Sequence, residues 1–188
     1  MTTTETKLPG VYIIEPRLFS DSRGWFMETY HKLKTPHISC DFVQDNHSLS
    51  AQKGTLRGIH FQYPPMAQAK LVRCVRGAVM DFTVDLRPES DTFKQWISVE
   101  LSEGNRKQLF IPRGFGHAFV TLTENAEVIY KADNYYSPEH DGAVLWSDPD
   151  IGIDWGIGKP VLSDKDNNAP LLKDIELTDC YHAILAIE

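Results

Sequence analysis

A chain of 188 residues, 41% hydrophobic and 24% charged, has the make-up of one globular domain with a real core. A net charge of −7 argues against a general nucleic-acid binder, while leaving room for an anionic small molecule held by a few clustered arginines. Three cysteines, Cys40, Cys74 and Cys180, lie far apart and form no CxxC pair, which argues against a disulfide framework and for a reducing compartment, the cytoplasm.

The opening MTTTETKLPGVYIIEP carries no apolar run of signal-peptide length. No stretch approaches the ~20 apolar residues of a membrane helix, so no membrane association is expected. Helical periodicity is weak, confined to about residues 26–34 and the C-terminal tail. From there the pattern is of short strands. In MDFTVDL (80–86), Met80, Phe82, Val84 and Leu86 face one way and Asp81, Thr83 and Asp85 the other, which reads as a core strand with a solvated face. WISVELS (96–102), QLFIP (108–112), HAFVTL (117–122) and AEVIYKA (126–132) follow. Between them stand RPESD (87–91), SEGN (102–105), PRGFG (112–116) and TEN (123–125), all turn chemistry. These spacings predict an all-β sandwich, jelly roll or barrel. The Asp-, Pro- and Gly-rich segment 147–170 predicts a long loop or strap. With no repeat or linker, residues 1–188 are expected to form a single domain, with an N-terminal arm over about 1–30 and a strap and tail over about 147–188.

No P-loop, GxGxxG or GxSxG elbow occurs, so kinase, nicotinamide and serine-hydrolase chemistry lose support. What remains is LRGIHFQ (56–62), where Arg57 and His60 interrupt an apolar run. His60 by itself could be a metal ligand, a base or a core histidine with its hydrogen bonds satisfied.

GTLRGIHFQ followed by KLVRCVRG, and later PRGFGH, resembles the two motifs of the cupin superfamily, which implies a cupin-type jelly-roll barrel with short peripheral helices. Where a metal-binding cupin has its second histidine stands Gln62, and where it has a glutamate stands Lys70. An ammonium has no lone pair for a cation. His60 and His117 alone fall short of the usual three or four protein ligands. The reading is a cupin without metal.

A more specific resemblance runs through the whole chain. RGWFMETY (23–30), FVQDNHS (42–48), LRGIHFQ, AQAKLVRCVRG (67–77), DFTVDLR (81–87), FIPRGFGHAF (110–119), YKADNYYSP (130–138), DIGIDW (150–155) and LSDKDNNAPLL (162–172) appear in order. Together they resemble the dTDP-4-dehydrorhamnose 3,5-epimerase family. That resemblance implies a dTDP-sugar substrate, no cofactor and no metal. It also implies a homodimer, with the N-terminal arm, notably around residues 19–28, reaching the neighbouring subunit's site.

The chemistry asks for a base, an acid across the sugar ring and a group to hold enolate charge. An imidazole titrates near pH ~6.5 and suits the base, His60. The resemblance makes Asp166 the carboxylate that orients it and Tyr130 the acid, although Tyr135 or Tyr136 is an alternative for the acid. Lys70 suits the enolate. The resemblance further gives Arg23, Glu28, Gln44, Asp45, Asn46, Arg57, His117, Tyr135, Asp141 and Lys165 as substrate contacts. Asp141 stands where the family often has glutamate. The bland readings are that Lys70 snorkels from a strand, that Arg23 and Arg57 sit in surface ion pairs, and that Cys74 is a small core residue. Rival functions are a single-centre epimerase or ketoisomerase on a related dTDP-sugar, a metal cupin, and a non-catalytic sugar-nucleotide-binding module.

Overall fold

A computed structural model describes residues 1–177. Of the tail expected over 176–188, residues 178–188 lie outside the described residues, as do Cys180 and His182.

Among the described residues thirteen strands form in chain order. They are β1 (Thr2–Glu5), β2 (Tyr12–Glu15), β3 (Leu18–Asp21), β4 (Gly24–Met27), β5 (Gln44–Ser50), β6 (Leu56–Gln62), β7 (Lys70–Arg76), β8 (Ala78–Asp85), β9 (Trp96–Ser102), β10 (Gln108–Ile111), β11 (Phe115–Thr121), β12 (Ala126–Ala132) and β13 (Asp141–Ala143). The only α-helix among the described residues is the single turn α1 (Asp164–Asn167). One sheet runs β1-β2-β10-β7-β12-β5 and a second runs β13-β6-β11-β8-β9, all neighbours antiparallel; β3 and β4 form a separate hairpin. This is the all-β, jelly-roll arrangement the strand spacing predicts.

The alternation of each strand explains the packing. Val72, Cys74, Leu109, Ile111 and Val128 of the six-stranded sheet meet Val79, Ile97, Leu101, Phe115 and Phe119 of the five-stranded sheet in one buried cluster. The opposite face of the five-stranded sheet is also apolar. Phe82, Val84, Leu56 and Val120 are covered there by Trp155, Ile151 and Leu172 from the segment after β13. Each such large side chain contributes roughly 1.5–3 kcal/mol on burial.

Two expectations are corrected. The polar face of MDFTVDL is not solvated, since Asp81, Thr83 and Asp85 are all 0% exposed. The strap covers the Met80/Phe82/Val84 face, so the other face of β8 turns into the barrel. The weak helical pattern over 26–34 yields instead β4 and one 3-10 turn at Lys32–Lys34. The cause is local. Asp21 accepts the Arg23 backbone N–H at 2.8 Å and closes the β3–β4 hairpin, and Pro36 prevents the 3-10 turn from continuing.

The strap is held at several points. The Asp148 carboxylate accepts the backbone N–H groups of Asp150, Ile151 and Leu172, which ties its two ends together. Trp155 Nε1 donates to the Trp146 carbonyl at 2.9 Å. Val161 meets Thr55 in a parallel bridge just before β6.

Candidate active site

β6 carries the stretch that interrupts the apolar pattern. Leu56, Ile59 and Phe61 are buried in the strap-side core. Gly58 has φ +135°, and a Cβ there would lie 2.3 Å from the Ala118 Cβ. Only glycine therefore lets β6 press this closely on β11, where the pairing shifts between His117 and Phe119. At that irregularity His60 and His117 are cross-strand partners.

The His60 ring nitrogen Nε2 lies 2.5 Å from Asp166 Oδ1. The imidazole is 31% exposed and the carboxylate 4%. Asp166 sits in α1 with Ser163 as its N-cap. The Ser163 hydroxyl accepts the Asp166 backbone N–H at 3.1 Å and donates to Asp166 Oδ2 at 2.8 Å. Burial pushes the Asp166 carboxyl up, but hydrogen bonds from His60, Ser163 and the Gly58 backbone outweigh it and hold it below the usual carboxylate range. The imidazole is thus oriented by an ionised carboxylate. Among the described residues nothing hydrogen-bonds Nδ1, so that nitrogen is open to accept a proton.

Lys70 opens β7 on the same face as Val72 and Cys74, inside the barrel. Burial pulls its ammonium down to about 8; the negative charges of Asp81 and Asp141 oppose that and Lys165 adds to it. Its Nζ is 5.8 Å from the centre of the Tyr130 ring. Tyr130 packs against the interior cluster. Burial raises its phenol above the ordinary value, with Arg57 opposing and Asp141 and Tyr136 adding, so it carries its proton at neutral pH. The base pair, a buried cation and a protonated phenol are therefore gathered at one end of the barrel.

Polar groups ring this end. Lys165 pairs with Asp141, whose Oδ2 also accepts the Tyr136 hydroxyl at 3.2 Å. Arg57 donates to Ser50 Oγ and to the Leu49 carbonyl. Gln44 donates to Asn46 Oδ1 at 3.1 Å and accepts the Tyr136 N–H at 2.9 Å. Asp45 is not brought to this cluster: it lies on the exposed face of β5 and pairs with Lys131 at 2.8 Å. Tyr135 and Tyr136 are exposed. Arg23 and Glu28 are not brought to this cluster. Arg23 pairs with Asp21 at the β3–β4 turn, and Glu28, just after β4, pairs with Lys34 of the 3-10 turn.

Gln62 acts as a strut. Its amide donates to the carbonyls of Met66 and Tyr135 and accepts the Ser137 N–H at 2.7 Å. Among the described residues no three His, Cys, Asp or Glu side chains converge as metal ligands, and no helix is long and apolar enough to cross a membrane. Cys74 is buried and its thiol is pushed up to about 11 by desolvation, a poor nucleophile. A cavity of about 270 Å³ is lined by Thr29, Asp45, Asn46, Arg73, Tyr130 and Lys131; it shares Asn46 and Tyr130 with the site but contains neither His60 nor Asp166. Volume alone therefore does not mark this site; the chemistry does.

Sequence reasoning passed over one group. Asp81, assigned to a solvated face, lies 2.9 Å from His117 Nε2 inside the barrel. The available signal was that HAFVTL has a histidine at the alternation phase of its interior residues.

The model of the family described as dTDP-4-dehydrorhamnose 3,5-epimerase matches residues 5–174. A dTDP-4-dehydrorhamnose 3,5-epimerase from Salmonella typhimurium is 51% identical over 183 residues, 95% of this chain and 100% of that protein. A dTDP-6-deoxy-D-glucose-3,5-epimerase from Legionella pneumophila, solved with dTDP-4-keto-L-rhamnose, superimposes with a TM-score of 0.88 at 41% identity, over 93% of this chain and 94% of that one. A 3'-monoepimerase from Streptomyces bikiniensis, solved with dTDP-quinovose, does so with a TM-score of 0.83 at 36% identity, over 89% and 86%.

Proposed function

The chain belongs to the dTDP-4-dehydrorhamnose 3,5-epimerase family, and from that premise we propose that it inverts C3 and C5 of dTDP-4-dehydro-6-deoxy-D-glucose to give dTDP-4-dehydro-L-rhamnose. The observation that carries the reading is the 2.5 Å contact between His60 and Asp166 at the end of the barrel that also holds Lys70 and Tyr130.

Both carbons flank the C4 ketone, so one enolate oxygen serves both inversions. His60 Nδ1 takes the proton from the carbon, and the C–H electron pair moves into the enolate. The imidazolium that forms is stabilised by Asp166. Lys70, an ammonium, faces the oxygen that gains charge. Tyr130 delivers a proton to the carbon from the opposite face as the enolate returns to the ketone. Solvent then reprotonates Tyr130 and takes the proton from His60, so that the cycle can repeat at the second carbon.

Arg57, His117, Lys165, Asp141, Gln44, Asn46 and Tyr135 hold the dTDP-sugar, arginine through paired bonds to diphosphate. Arg23 and Glu28, remote from His60 in their own chain, complete the site of a second copy in a homodimer. In keeping with this, their hairpin presents Phe19, Trp25 and Phe26 to solvent at 47%, 54% and 65% exposure. Such an enzyme works in the cytoplasm, where Cys40 and Cys74 stay free thiols.

The existence of a 3'-monoepimerase on the same fold favours one second reading, inversion at a single centre. The test is to incubate the chain with dTDP-4-dehydro-6-deoxy-D-glucose and a ketoreductase with NADPH, and to identify the trapped sugar. dTDP-L-rhamnose is expected. A sugar inverted at one carbon selects the second reading, and unchanged stereochemistry contradicts both.

A further inference from the structure

We propose that Asp81 is a positioning residue for the enolate-holding site, bracing His117 with one carboxylate oxygen and supplying the buried negative charge that keeps Lys70 an ammonium. This rests on the epimerase reading and adds a residue to it.

Asp81 lies in the middle of β8, paired with Phe119 of β11 and Val99 of β9, and is 0% exposed. Its Oδ2 is 2.9 Å from His117 Nε2. Its Oδ1 is buried and has no hydrogen-bond partner among the described residues. A buried carboxylate with an unbonded oxygen is costly for a strand that needs only to pack. Such a charge is tolerable where positive charge opposes its desolvation, and His117 and Lys70 do so at Asp81.

The charged and titratable groups around Lys70 are few. Asp81 reaches it from β8, Asp141 from β13, Lys165 from α1 and the Tyr130 ring from β12. His117 of β11 is bonded to Asp81, and His60 of β6 is the cross-strand partner of His117. Asp141 is already paired with Lys165. Asp81 is therefore the acid best placed to offset the desolvation of the ammonium, and it is the strongest of the charges that do so. The balance is mutual: burial leaves the Asp81 carboxyl above its ordinary value, and His117 and Lys70 oppose that rise. A purely structural Asp81 would only stitch β8 to β11 through His117.

The sign of the effect separates the two roles. Without the Asp81 charge, Lys70 gives up its proton at lower pH, and the enolate loses its cation there. In purified Asp81→Asn, kcat at pH 8 is expected to fall about 5-fold or more while KM changes by less than about 3-fold. The alkaline limb of kcat should move by about one pH unit or more toward acid. A loss that is uniform across pH, or a wild-type profile, overturns the proposal. Wild-type turnover is the control: its absence removes the epimerase reading, whereas turnover with an unshifted variant removes only the role of Asp81. Should the variant not fold, carbon-13 NMR of the wild-type enzyme decides. An ionised Asp81 carboxyl at pH 7 supports the proposal, and a protonated one overturns it.

Discussion

At the scale of single residues, the short contact between His60 and Asp166 is central. Asp166 is useful only as an anion, and its surroundings keep it one: hydrogen bonds from His60, Ser163 and Gly58 hold its carboxyl below the usual range despite burial. The folded pKa lies below the unfolded value of about 3.9, so this carboxylate stabilises the fold above that value. That stability is lost as pH falls through the depressed folded value. Asp166→Asn should therefore cut kcat by ~10²–10⁴-fold at neutral pH. It should also flatten the acid side of the stability curve below about pH 4, read by urea denaturation at several pH values. A variant with wild-type turnover would remove Asp166 from the mechanism. His60 itself was legible in the sequence because it breaks an apolar run, and the Asp166 pairing was legible only through the family's pattern, since 106 residues separate the two. Asp81 was not legible. Alternation along β8 divides its side chains into two faces, but it does not say which face meets water, and here neither does.

At the scale of elements, five strands were readable from period-two patterns and the turn residues between them. WISVELS and AEVIYKA coincide with β9 and β12. The N-terminal third was harder to read. Over residues 26–34, propensity suggests a helix, while strand pairing across a hairpin closed by Asp21 decides otherwise. The strap after β13 was readable as a long segment without regular structure, but not its purpose. It buries Trp155, Ile151 and Leu172 on the outer face of the five-stranded sheet, and in doing so brings Ser163 and Asp166 back to β6. Trp155 packs with its ring centre 4.6 Å from that of Phe82. The element that carries the orienting carboxylate is thus anchored by apolar burial on the far side of the same sheet that carries His60. Gly58 is the matching device on β6, since any Cβ there would strike Ala118.

At the scale of the whole molecule, the barrel divides its labour. One end of the interior is a hydrocarbon cluster, and the other holds Lys70, Tyr130 and His117 in a low-dielectric setting where charge placement matters most. The exposed β3–β4 hairpin, carrying Arg23 and Glu28 away from this end, fits a site completed by a second copy. Sharing is testable by complementation. Arg23→Ala and His60→Ala enzymes, each inactive alone, are unfolded together and refolded. If the site is shared, each mixed dimer regains one intact site, and about a quarter of wild-type activity should return. No recovery would mean that each chain uses its own Arg23.

The most direct measurement is proton NMR of dTDP-4-dehydro-6-deoxy-D-glucose turned over in D₂O. The wild-type enzyme should wash deuterium into both C3 and C5, and His60→Ala should introduce it at neither. Exchange at the wild-type rate in His60→Ala, or no label at either carbon with the wild-type chain, would contradict the assignment of His60 as the base of a two-centre epimerase.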